Sequence, residues 1–181
     1  MLLLTFTVAG EPYALNVAAV VELVPRVPLR AVPHAPDYLA GLLEYRGEVV
    51  PVVDLGVLLG SNRSGDKLST RIILVAAARG RADRDDARNP GSAPAPAPAA
   101  RTRRAGLIAE QVIDLVEVAP EQVTPAPVRL DRAPYLNAIA RTDRGFMPLV
   151  GVEALLFETL SAMPALATTQ DDPATRGADD A

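Results

Sequence analysis

The sequence predicts an all-β fold made of two small five-stranded β-barrel subdomains side by side, with short helices. Three observations support this prediction. Apolar residues alternate along short segments as they do in strands, turns containing glycine or proline separate these segments, and landmarks of the first half recur in order in the second. Hydrophobic residues make up 49% of the 181 residues, enough to bury a core. A lone sheet of about five short strands would leave exposed edges, so closure into a barrel is expected.

The chain divides into two predicted subdomains and two segments of different composition. We place the first barrel at residues 1–65 and the second at residues 66–163. Residues 79–104 are rich in arginine, proline and alanine, which predicts a disordered insert that enlarges a hairpin turn of the second barrel. A solvated spacer is the favoured interpretation of this insert, and a basic arm that binds a partner is the alternative. Residues 164–181 are predicted to be an acidic, disordered tail.

The first half is predicted to open with a strand followed by a helical turn. Leu2, Leu4, Phe6 and Val8 alternate with other residues in "LLLTFTV", which indicates a half-buried strand with these four side chains on its inner face. Asn16 follows the next apolar segment and can cap a short helical turn.

The segment "LLEYRGEVVPVVDLG" predicts a β-hairpin. Residues 42–45 form the first strand, Arg46-Gly47 the turn and residues 48–53 the second strand, because glycine permits the positive φ of a tight turn. Pro51 has no N–H, which suits an edge or a bulge. Asp54 then caps a short helix.

The second half repeats these landmarks. Tyr135 corresponds to Tyr38, Arg144-Gly145 to Arg46-Gly47, and Pro148 to Pro51. We therefore expect a second hairpin with the same plan.

The composition argues against several classes of function. The chain has no cysteine, which excludes disulfides and thiolate chemistry, and its one histidine, His34, has no neighbouring set of metal ligands or triad residues. Phosphate-binding glycine motifs are missing, and a net charge of −4 does not favour nucleic acid. We predict no catalysis, no metal and no cofactor. The start of the sequence resembles neither a signal peptide nor an anchor, so we expect the cytoplasm.

The carboxylates of Glu44, Glu48 and Asp54 are close in sequence and could act as an acid and a base. Alternation along a strand and a helix cap account for them better, and we therefore assign them no catalytic role.

The strings "VPHAPDYLAGLLEYRGEVVPVVDLG", "GLIAEQVIDLVEV" and "YLNAIARTDRGFMPLVGVEALL" together resemble the CheW-like chemotaxis coupling proteins. The resemblance covers the chain except for the insert and the tail. It implies a non-catalytic adaptor of two barrels that joins the cytoplasmic tip of a membrane chemoreceptor to a CheA-type histidine kinase. One face of the first barrel would pair with the regulatory domain of the kinase, and a groove between the barrels would take the helical hairpin of the receptor. Contact with the membrane would be indirect.

The resemblance also implies a set of partner-binding residues. Carried over position by position, they are Val20, Glu22, Gly41, Arg46, Gly47, Thr70, Arg71 and Ile72. We further predict that Glu22 and Arg46 face each other across the first barrel, and that Val20 and Ile72 lie near the receptor groove.

The chain departs from the usual family pattern at two places. The family usually has an apolar residue and then Asn or Leu before the Arg-Gly pair, where this chain has Glu44 and Tyr45, and it usually has Arg where this chain has Gly56. The fold should tolerate these changes, but they leave open which receptor and kinase are bound and whether the pathway controls swimming, pili or gene expression. The alternative function is a nucleic-acid or general scaffold module that binds through the arginine-rich insert.

Overall fold

The computed structural model describes residues 1–78, 102–128, 130–131, 133–143 and 145–160. The strands are β1 (Leu2–Val8), β2 (Glu11–Asn16), β3 (Val20–Pro25), β4 (Leu39–Tyr45), β5 (Glu48–Asp54), β6 (Arg71–Ala78), β7 (Thr102–Glu117), β8 (Val123–Pro125), β9 (Ala138–Thr142) and β10 (Gly145–Leu149). The α-helices are α1 (Leu55–Leu58) and α2 (Val152–Ala154), with 3₁₀ turns at Val17–Ala19 and Pro120–Gln122 and a π turn at Leu155–Thr159. The chain is all-β with short helices, as the sequence predicts.

The first sheet contains five strands in the order β3, β6, β7, β5 and β4. The segment that follows β3 approaches the β4 edge through one bridge, in which Arg30 and Leu42 exchange backbone hydrogen bonds of 2.9 and 2.8 Å. Within the described ranges this bridge is the only pairing between the β4 edge and the segment after β3. The sheet therefore curls back on itself but does not close into the predicted barrel, because the prolines and the loop after β3 interrupt the ladder there.

The second sheet contains β7, β1, β2, β10, β9 and β8 in that order. Antiparallel pairing joins β1 to β2 and to β7, and a parallel contact between Leu149 and Ala14 joins β10 to β2. This sheet also remains open in the described part of the chain.

Strand β7 belongs to both sheets. Residues 102–109 pair with β6 in the first sheet, and residues 110–117 pair with β1 in the second. The change occurs next to Gln111, whose φ of 45° is in the left-handed region. The strand pairings therefore cross the boundary predicted at residue 65. The N-terminal hairpin lies in the second sheet, while β6 and the first half of β7 lie in the first, because one long strand provides an edge to each.

The C-terminal boundary of the insert lies earlier in the chain than the predicted residue 104. Thr102, Arg103 and Arg104 pair with Ala78, Ala77 and Ala76, so residues 102–104 are part of β7 and the prediction of disorder is wrong for them. Residues 79–101 and 161–181 lie outside the described part of the chain. The predicted disorder of the rest of the insert and of the tail at 164–181 stays a prediction.

Among the described residues, three hydrophobic clusters form the cores against which the sheets pack. A central cluster contains side chains from both sheets, including Phe6, Leu15, Ile73 and Leu107, together with α2. The first sheet encloses a cluster of Val50, Val52, Ile72, Leu74 and Ile108. The second encloses one of Leu3, Ala14, Val118, Ala140, Met147 and Leu149.

The burial of β1 differs in part from its predicted alternation. Leu4, Phe6 and Val8 are buried as predicted, but Leu2 is 41% exposed and Leu3 is fully buried. Leu3 is buried because β1 has a hydrophobic cluster on each of its two faces, so odd-numbered and even-numbered residues can both be buried.

Local predictions for turns and caps are confirmed. Asn16 accepts a 2.9 Å hydrogen bond from the Ala18 amide and begins the 3₁₀ turn. Arg46 and Gly47 have φ values of 52° and 79°, the geometry of a two-residue hairpin turn. Asp54 caps α1, and Pro51 lies just before the residues at which β5 pairs with β7.

The internal repeat is present in the backbone. The Tyr38 carbonyl accepts a hydrogen bond from the Asp54 amide at 2.8 Å, and the Tyr135 carbonyl accepts one from the Gly151 amide at 2.7 Å. The predicted match between Arg46-Gly47 and Arg144-Gly145, however, is wrong at its glycine. Gly145 pairs with Thr142 and already belongs to β10, whereas Gly47 lies in the turn between the paired residues Tyr45 and Glu48. Arg144 lies outside the described residues.

Candidate partner-binding surface

The turn of the β4–β5 hairpin brings Glu22 and Arg46 together. The Arg46 guanidinium donates from Nη2 to Oε2 of Glu22 at 3.0 Å, and the Arg46 and Glu22 side chains are 75% and 41% exposed. Glu22 comes from β3 and Arg46 from the turn, so the first sheet must curl for them to meet. The predicted pairing of these two residues is confirmed.

Tyr45 contacts both members of this ion pair. Its hydroxyl donates to the same Oε2 of Glu22, and its ring centroid lies 5.0 Å from Cζ of Arg46, which is within the range of a cation–π interaction. The hydrogen bond to the Glu22 carboxylate, more than burial, raises the pKa of the Tyr45 phenol above its ordinary value of 10.0. The arginine is therefore fixed by a carboxylate, by an aromatic ring and by its own turn backbone.

A second ion pair adjoins Tyr45. Glu48 lies directly opposite Tyr45 in the hairpin ladder, so the two side chains are on the same face, and the Glu48 carboxylate pairs with Nη1 of Arg104. Arg104 comes from β7 and is 42% exposed. We call Glu22, Tyr45, Arg46, Glu48 and Arg104 the Tyr45 cluster. The sequence indicated Tyr45 only as a departure from the family pattern, and it placed Arg104 in the insert.

Three of the predicted partner-binding residues are buried. Ile72 is fully buried in the first core, and Thr70 is 1% exposed, with its hydroxyl donating to the Gly65 carbonyl at 2.7 Å. Gly41 has a φ of 150°, and a Cβ there would lie 2.7 Å from the Arg30 carbonyl oxygen. These residues shape the first sheet and do not form part of its surface. Ile72 is therefore not exposed for direct contact in this structure, and its predicted position near a receptor groove stays a prediction.

The remaining predicted residues are at least partly accessible. Gly47 is exposed in the turn, while Val20 is half-buried against the central cluster. Arg71 is half-buried, and its guanidinium donates to the carbonyls of Leu68 and Thr70. Val20 pairs with Val75, at the other end of the β3–β6 ladder from Ile72. The structure thus brings together Glu22, Arg46 and Gly47, but it separates Val20 from Arg71.

The loop that leaves the hairpin is fixed by a buried carboxylate. Asp54 is fully buried, and its Oδ1 accepts hydrogen bonds from the Gly56 amide at 2.9 Å and the Ser64 hydroxyl at 2.7 Å. The Ser64 amide donates to both carboxylate oxygens at 3.1 Å. These bonds provide the buried carboxyl oxygens with hydrogen-bond partners.

Gly56 has a packing reason that the sequence did not reveal. A Cβ at residue 56 would lie 2.2 Å from the carbonyl oxygen of Asn62. The loop therefore occupies the space where a side chain at residue 56 would begin. This accounts for glycine at a position where the resemblance leads one to expect arginine.

The same loop is also tied to β3 and β7. Arg26 donates to the Ser64 carbonyl at 2.9 Å, and Glu110 accepts from the Gly65 amide at 2.6 Å and from Lys67 at 2.9 Å. The hydrogen bond with Lys67, followed by that with the Gly65 amide, lowers the pKa of Glu110 below its ordinary value of 4.5.

A cavity lies away from this surface. It has a volume of about 590 Å³, lies against the second sheet and is lined by polar and apolar side chains that include Thr5, Thr7, Asp114 and Phe146. Among the residues that the structure describes, no group of three or more acidic, histidine or cysteine side chains is placed to hold a metal ion. In the same ranges no helix has both the length and the apolar character needed to cross a bilayer.

Comparison with known proteins assigns the family. The model of the CheW-like domain family matches residues 2–159, and the chain therefore belongs to this family. It is 27% identical to the probable chemotaxis protein CheW of Rhizobium etli, over 88% of this chain and 89% of that protein. It is 25% identical to the chemotaxis protein CheW of Klebsiella aerogenes, over 84% of this chain and 80% of that protein. The crystal structure of the scaffolding protein TtCheW from Thermoanaerobacter tengcongensis superposes with a TM-score of 0.66 and 26% identity over 87% of each chain.

Proposed function

We propose that this chain is a non-catalytic chemotaxis adaptor that couples a chemoreceptor to a CheA-type histidine kinase. The family match and the likeness to a scaffolding protein support the adaptor role. Its partners are the regulatory domain of the kinase and the cytoplasmic tip of the receptor, and it therefore works in the cytoplasm. No observation favours the alternative of a nucleic-acid module.

The observation that supports this proposal best is the Glu22–Arg46 pair at the hairpin turn. An exposed ion pair of this kind stabilises a fold by only about 1 kcal/mol or less, so a contribution to folding does not account for its presence. A guanidinium held by a carboxylate keeps further N–H donors in a fixed orientation for a partner. We assign kinase binding to this turn.

The proposal is tested by assembly of purified full-length chain with the CheA-type kinase and the receptor tip encoded in the same genome. Arg46→Ala and Arg46→Lys should retain the circular dichroism spectrum and lose no more than about 1 kcal/mol of unfolding free energy, yet weaken assembly. Arg141→Ala is the matched control, because Arg141 is an exposed arginine on the other hairpin, with its guanidinium 5.3 Å from the ring of Phe146. Failure of the unmodified chain to bind either protein would refute the adaptor role. Normal assembly by Arg46→Ala would refute the assignment of the turn.

A further inference from the structure

The Tyr45 cluster contains more than the pair that the proposed function uses. Tyr45 contacts both Glu22 and Arg46, and it lies opposite Glu48, which holds Arg104. Four strands, β3, β4, β5 and β7, and the turn between β4 and β5 thus supply one continuous group of side chains.

The cluster is accessible and contributes little to stability. The side chains of Glu48 and Arg104 are 47% and 42% exposed, similar to Glu22 and less than Arg46. Exposed ion pairs each stabilise by about 1 kcal/mol or less. Arginine and tyrosine are, on the other hand, the residues most enriched where protein interfaces derive their affinity. The composition of this surface is therefore better suited to binding than to folding.

The arrangement of charge indicates what the surface binds. Arg46 donates to Glu22 from Nη2, and Arg104 donates to Glu48 from Nη1. Within the Tyr45 cluster, the other N–H groups of both guanidinium groups make no hydrogen bond. Two arginines and two glutamates also cancel in net charge, so the surface has little long-range attraction for a polyanion. We therefore expect recognition through a short-range hydrogen bond from the arginines to a carboxylate of the partner, placed away from the two glutamates.

We propose that Tyr45 and Arg104 extend the kinase-binding surface and that the cluster receives an acidic side chain of the regulatory domain. This inference rests on the proposed function. Tyr45 acts as a positioning residue, because it orients Arg46 through the shared carboxylate of Glu22. Arg104 contacts the partner directly.

Titration calorimetry or interferometry with the full-length chain and the isolated kinase regulatory domain tests this inference. Tyr45→Phe removes only the hydroxyl, and Arg104→Gln replaces the charged guanidinium with a shorter neutral amide. Each should weaken binding about tenfold, equivalent to about 1.4 kcal/mol, mainly through faster dissociation, and Arg104→Lys should not restore the affinity. Arg141→Gln should leave the affinity unchanged. Melting temperatures within about 2 °C of the unmodified chain would exclude a loss of folding as the cause.

A double-mutant cycle separates positioning from general damage to the surface. If Tyr45 acts through Glu22, Tyr45→Phe should have little further effect once Glu22→Gln is present. Equal losses in both backgrounds would overturn the positioning role.

The outcomes distinguish this inference from the function on which it rests. If the unmodified chain binds neither kinase nor receptor, the proposed function fails and this inference fails with it. If the unmodified chain binds, Arg46→Ala weakens binding, and Tyr45→Phe and Arg104→Gln bind normally, only this inference fails. Binding of a short DNA duplex that disappears in Arg104→Gln would overturn the assignment of an acidic protein partner.

Discussion

The β4–β5 and β9–β10 hairpins have the same backbone plan but present different surfaces. In both, a tyrosine carbonyl before the hairpin accepts a hydrogen bond from the amide three residues after its proline. Val49 and Phe146 occupy equivalent exposed positions, with exposures of 61% and 67%. The residues that follow them, Val50 and Met147, are both buried. Backbone pairing and core packing therefore recur together.

The differences are concentrated at the turn and at the exit. The first turn begins with Arg46, whereas the structurally equivalent residue of the second is Asp143, which has the opposite charge. At the exit, Asp54 caps α1 and holds a loop, whereas Gly151 precedes α2 without a side-chain cap. The repeated plan builds the fold, and the unrepeated side chains build the candidate surface.

The largest expected effect concerns Asp54 and Gly151, the residues at which the chain leaves the two hairpins. Asp54→Ala should lower the free energy of unfolding by about 3 kcal/mol, because it removes a helix cap and leaves the buried Ser64 amide and hydroxyl unpaired. Gly151→Ala at the equivalent position should change it by less than about 1 kcal/mol, because the new Cβ would lie 3.4 Å from the Tyr135 carbonyl.

Urea denaturation of both variants measures this difference. Asp37→Ala, in an exposed loop, is the control for loss of an aspartate and should stay within about 0.5 kcal/mol of the unmodified chain. Equal destabilisation by Asp54→Ala and Gly151→Ala would show that the two exits are energetically alike.

A smaller effect is expected at the entry to each hairpin. Gly41 and Ala138 are each three residues after the repeated tyrosine. Gly41→Ala should destabilise the protein by about 2 kcal/mol, because its Cβ would lie 2.7 Å from the Arg30 carbonyl and its φ is 150°. Ala138→Gly, the reverse exchange, should cost only about 1 kcal/mol or less. Thermal unfolding of the pair checks the order, and a Gly41→Ala variant as stable as the unmodified chain would contradict the close approach.

The smallest expected effect depends on pH and concerns Glu110, which binds the loop that follows the β4–β5 hairpin. The folded-state pKa of Glu110 is lowered, chiefly by its hydrogen bond with Lys67, so its contribution to stability is fully present above the ordinary value of 4.5 and is lost as the pH falls through the lowered pKa. Glu110→Gln should therefore cost about 1 kcal/mol at pH 7 and progressively less below pH 4.5.

The measurement is the unfolding free energy of both chains between pH 3 and pH 7, about the range over which carboxylates titrate. Glu121→Gln is the control, because Glu121 is an exposed carboxylate on the 3₁₀ turn before β8. A cost for Glu110→Gln that does not change with pH would contradict the role of the ionised carboxylate.

Features with a local cause could be predicted from the sequence. The Arg46-Gly47 turn, the Asn16 cap and the Asp54 cap each follow from a few neighbouring residues, and the structure has all three. The Glu22–Arg46 pair was predicted as well, with the help of the family resemblance. Such features depend on propensities that a short segment already contains.

Features with a distant cause were missed or misplaced. The residues of β7 do not indicate that this strand belongs to two sheets. The boundary predicted at residue 65 therefore separates β1 from β7, although the two strands pair. Arg104 was assigned to a disordered insert because its neighbours in sequence are arginines, although Ala76 and Glu48 fix it in space. The sequence did not show that Ile72 is buried, because its burial depends on contacts with Val50 and Ile108, which are distant in the chain.

The shared strand also has a consequence for synthesis on the ribosome. Thr5 bonds to the Asp114 carbonyl, a partner 109 positions away in the chain, and Ala14 of the same N-terminal hairpin pairs with Leu149. Strands β1 and β2 are therefore synthesised before β7 and β10, the strands that complete their sheet. Contacts of such high sequence separation slow folding, and until they form Leu3, Phe6 and Leu15 remain without their cores. The β1–β2 hairpin must therefore be protected from aggregation until β7 and β10 have been synthesised.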